Sequence, residues 1–264
     1  NNSDGVAGGA WNVKIVPVRA LGKCGGKLSD INDAIRWAAG TIPEFNELGE
    51  EVWNENPADI INLSLGLFKT CPASMQDAIN SVTAQGVVVV AAAGNRSVPT
   101  EFFAPAGCQN VVTVAGGDAR GHLAPYSNYG AAVDVLAPGG DLTRDDDGDG
   151  NPDGVLSTKT AENCEDPLTG AAVATCYYAY EQGTSMATPH VAAALALIKS
   201  KSPDLNSEQL VSTLMSGISA IPENQCTGLC SQFPGAVPTV DDPDMCLRPC
   251  GSGLLNLAAV NLPE

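Results

Sequence analysis

A serine, an asparagine and a run of aspartates are the residues of this chain whose types and spacing could do chemistry. Ser185 opens the stretch Ser185-Met186-Ala187-Thr188-Pro189-His190-Val191-Ala192, which runs into Ala193-Ala194-Leu195-Ala196-Leu197-Ile198-Lys199, a segment of high helix propensity. Gly183 and Thr184 before it are small, so the serine hydroxyl sits at a helix N-terminus. There unpaired N–H groups and the helix macrodipole favour negative charge on or beside that oxygen. Pro189 is tolerable in the first turn, where no N–H is needed. That setting suits a nucleophile whose attack creates an oxyanion. It suits equally a serine that only starts a buried, Ala-rich helix, and the stretch alone leaves both open. Asn95 follows Val87-Val88-Val89-Val90-Ala91-Ala92-Ala93-Gly94, a buried β run. At that Gly-Asn corner its amide can point into a crevice, or it can serve as a turn residue tolerant of left-handed φ.

The aspartates offer a second chemistry. Asp145-Asp146-Asp147-Gly148-Asp149-Gly150-Asn151-Pro152-Asp153 fits the D-x-D-x-D-G-x-x-D pattern of a calcium loop. Carboxylates at 145, 147 and 149, with Asn151 and Asp153 beyond, converge on one ion when Gly150 turns sharply. Like charges this close repel unless a cation binds. Position twelve is Leu156 instead of the usual Glu, so the loop is EF-hand-like without the flanking helix pair. An acidic, solvated turn is the alternative.

A nucleophilic serine needs a base, and the chain has two histidines. His190 lies five residues after Ser185, more than a helical turn from its hydroxyl. His122 sits in the polar run Gly121-His122-Leu123-Ala124-Pro125-Tyr126. Neither is placed to act as base, and no aspartate can be paired with either as its orienter.

The elements that must position these residues alternate in type. Asn12–Arg19 reads as a strand. Ser29 can cap a helix with Ile31, Ala34, Ile35 and Ala38 on one face and Gly40 as its stop. Ala58–Leu65 is the next strand. Ser74 with Asp77 starts a helix burying Met75, Ala78, Ile79 and Val82, stopped by Gly86; strand Val87–Ala93 follows. Val111–Ala115, Val133–Leu136 and Val155–Thr158 add strands, and Asn206 with Gln209 makes a capping pair for a last helix. This order predicts an α/β fold, a mostly parallel β-sheet sandwiched by helices. Ser64, Asn95 and Ser185 then fall at the carboxyl ends of strands, where ligands gather. Asp141–Gln182 and Ile221–Pro249 interrupt the order as loop insertions carrying cysteines and prolines, which read as disulfide-stapled.

The 264 residues, 44% hydrophobic, suffice for one domain over 1–264 with a full core. A net charge of −17 argues against nucleic-acid binding and fits a soluble exported protein that binds cations. No apolar run is long enough to span a membrane. Nine cysteines without zinc-like spacing imply disulfides and an oxidising compartment, with one thiol left over. Cys226 and Cys230, and Cys246 and Cys250, could each close a small loop or cross-pair. Asn1 reads as a processed end, since neither an initiator Met nor a signal peptide precedes it.

Taken together, Gly183-Thr184-Ser185-Met186-Ala187-Thr188-Pro189-His190, the Val87–Asn95 run, Ile60-Ile61-Asn62-Leu63-Ser64-Leu65-Gly66 and Gly251-Ser252-Gly253-Leu254-Leu255-Asn256 resemble the subtilisin-type serine proteases (subtilases) over nearly the whole chain. The resemblance implies a secreted serine endopeptidase acting on polypeptides, made as a zymogen with a propeptide inhibitor. Ser185 becomes the nucleophile, and Asn95 with the Ser185 N–H the oxyanion site. Ser64, Leu65, Gly66, Ala92, Ala93 and Gly94 would line the first specificity pocket, with Phe103 near its base. Leu21, Gly25 and Gly26 would form an edge pairing with extended peptide. Asn2, Asp4 and Val6 would belong to a second calcium loop. The resemblance also sets the loops of Cys24 and Cys71 side by side, implying a disulfide between them. The family's Asp-(Ser/Thr)-Gly and His-Gly-Thr-His segments, which carry the triad aspartate and histidine, are absent. The expectation is therefore that this chain is the larger part of a nicked protease, active only with an N-terminal fragment of its own precursor. The rival expectation is a pseudoenzyme, a peptide-binding module that has lost its base.

Overall fold

The computed structural model describes residues 5–22, 24–160, 176–221, 225–229 and 245–260. Residues 12–19, expected as a strand, join no ladder: Asn12 belongs to a turn and 13–19 take no regular structure. A strand is held by its neighbour's hydrogen bonds, and among the described residues no neighbour lies beside this stretch. Ile15 is 84% exposed there, while Val18 packs against the core.

Helix α1 (Leu28–Ala38) buries Ile31, Asn32, Ile35 and Ala38. Ser29 does not cap it: Leu28 is drawn onto the core, so the helix starts earlier and Ser29 donates to Asp30 from within the first turn. Gly40, with φ +67°, ends it as expected. The acidic stretch after Gly40 forms a short hairpin, β1 (Glu44–Phe45) with β2 (Glu51–Val52). Strand β3 (Ile60–Leu63) and β4 (Leu67–Phe68) lead to helix α2 (Ala73–Thr83). The apolar spacing is borne out, since α2 buries Met75, Ala78, Ile79 and Val82. Its start is Ala73 after Pro72, so Ser74 lies inside the helix, where its hydroxyl accepts from Asn32 of α1.

Strand β5 (Val88–Ala92) is buried along its whole length. β6 (Phe103–Ala104) pairs antiparallel with β4, and β7 (Val112–Gly117) and β8 (Val135–Pro138) complete the main sheet. Its order is β3-β5-β7-β8, all parallel. Side chains alternate between its two faces. Val89 and Ala91 join Ile35, Met75 and Ile79 beneath α1 and α2. Val88 and Val90 join Val114, Val135, Val191, Leu195 and Leu214 beneath α3 (Thr184–Lys201) and α4 (Ser207–Ser216). Each such buried branched side chain contributes about 1.5–3 kcal/mol over exposure. The capping pair of α4 forms in both directions between Asn206 and Gln209.

Val155–Thr158 does not extend this sheet. It lies in β9 (Val155–Thr160), which pairs antiparallel with β10 (Cys176–Glu181) as a separate ribbon. Antiparallel strands need only a reversing turn, so the insertion satisfies its backbone locally. β11 (Thr227–Leu229) and β12 (Met245–Leu247) form another such pair.

The expected Cys24–Cys71 bridge is not formed. Cys71 joins Cys108, and Cys24 is exposed and free. Gln76, one turn into α2, donates to the Gln109 carbonyl and accepts the Gln109 N–H, which brings the two cysteines together. In the C-terminal insertion Cys226 cross-pairs with Cys250. Cys164 and Cys230 lie outside the described residues. No helix among the described residues is long and apolar enough to cross a membrane.

Candidate active site

Ser185 is half-buried, the second residue of α3. Gly183 turns the chain into that helix at φ 148°, a conformation that excludes side chains. Its N–H donates to the Gly139 carbonyl at 2.9 Å and to the Tyr126 hydroxyl at 3.1 Å. The Tyr126 hydroxyl itself donates to the Gly140 carbonyl at 2.8 Å. Burial raises the Tyr126 pKa above its ordinary range, so the phenol keeps the proton this contact needs.

Asn95 leaves β5 through Gly94, whose φ is +103°. Its Oδ1 accepts from the Thr184 N–H and from the Thr184 hydroxyl, both at 2.8 Å. That hydroxyl in turn accepts the Gly94 N–H at 3.1 Å. With the amide oxygen committed, the amide nitrogen points the other way. A Cβ on Gly183 would stand 3.2 Å from Asn95 Nδ2, which places that donor beside the turn into Ser185. The N–H of Ser185 lies in the first turn, where no intrahelical acceptor exists. That same Cβ position is 3.7 Å from the Ser185 nitrogen, so Asn95 Nδ2 and this N–H border one point at the positive end of an 18-residue helix. Such a donor pair can stabilise negative charge on a carbonyl oxygen that the hydroxyl attacks.

Ser64, just past β3, holds the other side: its hydroxyl donates to the Ser185 carbonyl at 2.9 Å. The Ser185 hydroxyl makes a long 3.4 Å contact to the Ser64 carbonyl. Because α3 begins at Thr184, Pro189 falls in the second turn, not the first as expected.

Of the residues expected to line the first pocket, two glycines meet the Phe103 ring. β4 and β6 set Phe68 opposite Phe103, and the Phe103 ring lies against Gly66 and Gly94. A Cβ would come within 2.2 Å of it at Gly66 and within 2.9 Å at Gly94. Ser64 and Leu65 are half-buried, while Ala92 and Ala93 are buried at the end of β5. Leu21 is exposed next to a bridge between Gly22 and Gly25.

Neither histidine reaches Ser185. His190 Nδ1 meets the Met186 carbonyl of its own helix at 2.8 Å, and His122 is half-buried on the β7–β8 connection. Among the described residues, no ionisable side chain bonds the serine hydroxyl.

A profile of the subtilase family matches residues 1–253. The chain belongs to the subtilase family. An "Extracellular protease" of Xanthomonas campestris pv. campestris is 42% identical over 231 residues, which are 87% of this chain and 35% of that protein. A "Thermophilic serine proteinase" of Bacillus sp. (strain AK1) is 40% identical over 203 residues, 76% of this chain and 39% of that one. Among solved structures, one described as proteases from Pseudoalteromonas arctica matches 98% of this chain and 66% of its own, at 40% identity and a TM-score of 0.75. The chain thus spans about a third of the length of the Xanthomonas and Bacillus relatives and of an "Extracellular basic protease" of Dichelobacter nodosus.

In this subtilase the carboxylates of Asp145, Asp147 and Asp149 gather so that one oxygen from each lies within 4.8 Å of the others. Gly148 and Gly150, both at positive φ, make the turns. Asp145 accepts the N–H groups of Gly148 and Gly150, and Asp149 accepts that of Asn151. The Asn151 contacts hold the Asp149 carboxyl below its ordinary pKa, so it stays charged. Asp153 is outside this trio: its carboxylate accepts the Asp146 N–H and closes the base of the loop. Asn2 and Asp4 lie outside the described residues, and Val6 is exposed.

Sequence reasoning missed Thr184, Tyr126 and Asn128. Buried Asn128 donates to the Ala93 carbonyl at 2.7 Å and accepts from the N–H groups of Arg96 and Val98. Thr184 was visible only as the neighbour of Ser185. Nothing local marks it as the partner of a residue 89 positions away.

Proposed function

We propose that this chain carries the nucleophile, oxyanion site and substrate cleft of a secreted serine endopeptidase. The Ser185 hydroxyl attacks the carbonyl carbon of a peptide bond as a base takes its proton. The C–N bond breaks and the amine leaves with that proton; water then hydrolyses the acyl-enzyme to release the carboxylic acid and free Ser185. Asn95 Nδ2 and the Ser185 N–H hold the oxyanion. The observation that carries this reading is the pair of hydrogen bonds that Asn95 Oδ1 accepts from the Thr184 N–H and hydroxyl, which turns the amide nitrogen away from Thr184. Relatives named as an extracellular protease and an extracellular basic protease support both the reaction and secretion.

The base and its orienting carboxylate come from a segment outside these 264 residues, a fragment of the same precursor. Two features support that. No base stands at Ser185 among the described residues, and β3 ends the main sheet with its outer edge unpaired there. Residues 12–19 pair with no strand among the described residues, and apolar Trp11 and Ile15 in and beside them are exposed. An intervening strand would pair the β3 edge and cover such side chains. The propeptide inhibitor of a subtilase zymogen would occupy the same cleft before maturation. The acidic loop at Asp145, Asp147 and Asp149, with Asn151 and Asp153 at its margin, would hold a calcium ion whose role is to neutralise and fix the loop.

The test is labelling with a serine-directed fluorophosphonate. The complete protease should label at Ser185 and lose labelling as Ser185→Ala. The 264-residue chain refolded alone should label far more slowly; in subtilisin, loss of the base costs about 10⁶ in kcat. Equal labelling of the lone chain would overturn the split arrangement. No labelling of the complete protein, with peptide still bound, would leave a peptide-binding pseudoenzyme.

A further inference from the structure

We infer that Arg248 is a positioning residue for the primary specificity pocket: seated by the Cys226–Cys250 disulfide, it clamps the Ser127–Tyr129 segment onto the Ala93–Val98 wall. This rests on the proteolytic reading and adds a determinant of its substrate selectivity.

Arg248 is only 3% exposed, although it carries a charge. A buried guanidinium is costly unless its hydrogen bonds and charge are compensated. Here Nη2 donates to the Ser127 carbonyl at 2.7 Å, and the guanidinium lies over the Tyr129 ring, 4.9 Å from its centroid. Burial lowers its pKa to about 10, so it remains cationic at neutral pH. The backbone around it grips the same segment. The Gly130 N–H donates to the Pro249 carbonyl at 2.6 Å, and the Arg248 N–H donates to the Cys226 carbonyl at 2.7 Å. The disulfide between Cys226 and Cys250 spans this grip.

The gripped segment continues to the pocket. The Ser127 hydroxyl donates to the Asn128 carbonyl and accepts the Gly116 N–H. The Asn128 N–H donates to the Gly94 carbonyl at 2.8 Å, and its side chain holds Ala93, Arg96 and Val98. Asn128 therefore ties the backbone on both sides of Asn95, and Gly94 rests on the Phe103 ring. Without Arg248, the Ser127 carbonyl loses a buried charged donor and Tyr129 its cation, so the clamp can shift. A shift of the Gly94 wall changes the room beside Phe103, and large acyl-side residues feel that more than small ones.

The experiment compares the complete protease with Arg248→Met and Arg248→Lys. The substrates are two peptides differing only in the acyl-side residue, Phe or Ala. We expect the Phe/Ala ratio of kcat/KM to fall about tenfold for Arg248→Met and to be restored in part by lysine, which keeps the cation but not the planar fork. The same ratio is read as peptide Kd in a Ser185→Ala background, where no hydrolysis is needed. A lower melting temperature with both ratios unchanged would make Arg248 merely structural and overturn the inference. A parent that cleaves neither peptide fails the proteolytic reading instead, and the Kd ratio then decides the role of Arg248. Should Arg248→Met not accumulate, the Cys226→Ser/Cys250→Ser variant takes its place, with the same loss of ratio expected.

Discussion

The Ser64 hydroxyl donates to the backbone carbonyl of Ser185 across 121 positions of sequence. That carbonyl would ordinarily accept the N–H of the residue four ahead. The residue four ahead is Pro189, which has none. The proline thus frees an acceptor at the nucleophile, and the cleft wall takes it up. Ser64→Ala should leave the carbonyl without a donor and cost about 1–3 kcal/mol of stability. Restoring the helical N–H with Pro189→Ala should recover much of that loss. Chemical denaturation of the two single variants and the double variant checks it; additive effects would mean the two residues are not coupled.

Thr184 holds Asn95 by its oxygen. Thr184→Val removes the hydroxyl but leaves the backbone donor, so the amide is held by one bond in place of two. We expect kcat to fall about tenfold with KM little changed, the pattern of a contact needed only in the transition state. Asn95→Ala should fall further, by the roughly 10²–10³ that loss of the corresponding donor costs subtilisin. Steady-state kinetics on one peptide substrate separates the two variants. A rise in KM alone would assign Thr184 to ground-state binding.

The residues expected to wall the first pocket, Leu65, Ala92, Ala93 and Phe103, carry no charge, and Gly66 admits no side chain over the Phe103 ring. A preference for uncharged, largely apolar acyl-side residues follows, since nothing would compensate a buried charge. Gly66→Ala would press the ring and should depress cleavage after large residues most. Cleavage of a peptide library chiefly after Arg, Lys, Asp or Glu would refute the pocket assignment.

Three carboxylates within 4.8 Å favour a divalent cation. Chelation with EDTA should lower the melting temperature of the parent, and calcium should restore it. Asp147→Ala should lose the part of that response that belongs to this loop and shift less with chelator than the parent. A parent indifferent to EDTA would leave the loop a solvated acidic turn.

Asp134 sets a pH dependence. Burial raises its carboxyl above the ordinary value of 3.8, and the Thr113 N–H only partly offsets this. The folded state then binds that proton more tightly than the unfolded chain. Its contribution is fully present at pH below the ordinary carboxylate value and is lost as pH rises through the raised folded value. Asp134→Asn keeps a neutral acceptor at every pH. It should melt above the parent at pH 7, with the gap closing below about pH 4. Melting scans of fluorophosphonate-blocked protein avoid self-digestion; a gap that widens toward acid would reverse the assignment.

What the sequence alone determined is what repeats within a few residues of itself. The face of Met75, Ala78, Ile79 and Val82, the wholly apolar β5 and the Asn206–Gln209 cap are local patterns, and each forms as its spacing dictates. Ser185 and Asn95 stand out because each borders such a pattern, at a helix start and past a strand end, but the roles expected of them rest on the family resemblance. Helix starts were legible less well: Leu28 and Ala73 are drawn in by packing and by a preceding proline, and neither Ser29 nor Ser74 supplies the cap. Tertiary structure alone decided the partners. Cys71 meets Cys108, 37 residues away, because Gln76 and Gln109 clasp across two elements. Residues 12–19 have the pattern of a strand, yet a ladder needs a neighbour that local pattern cannot supply. Asn95 finds Thr184, Ser64 finds Ser185, and Arg248 finds Ser127 only after two faces of one sheet have been covered. Those contacts join surfaces from distant parts of the chain, and no short-range spacing encodes which surfaces meet.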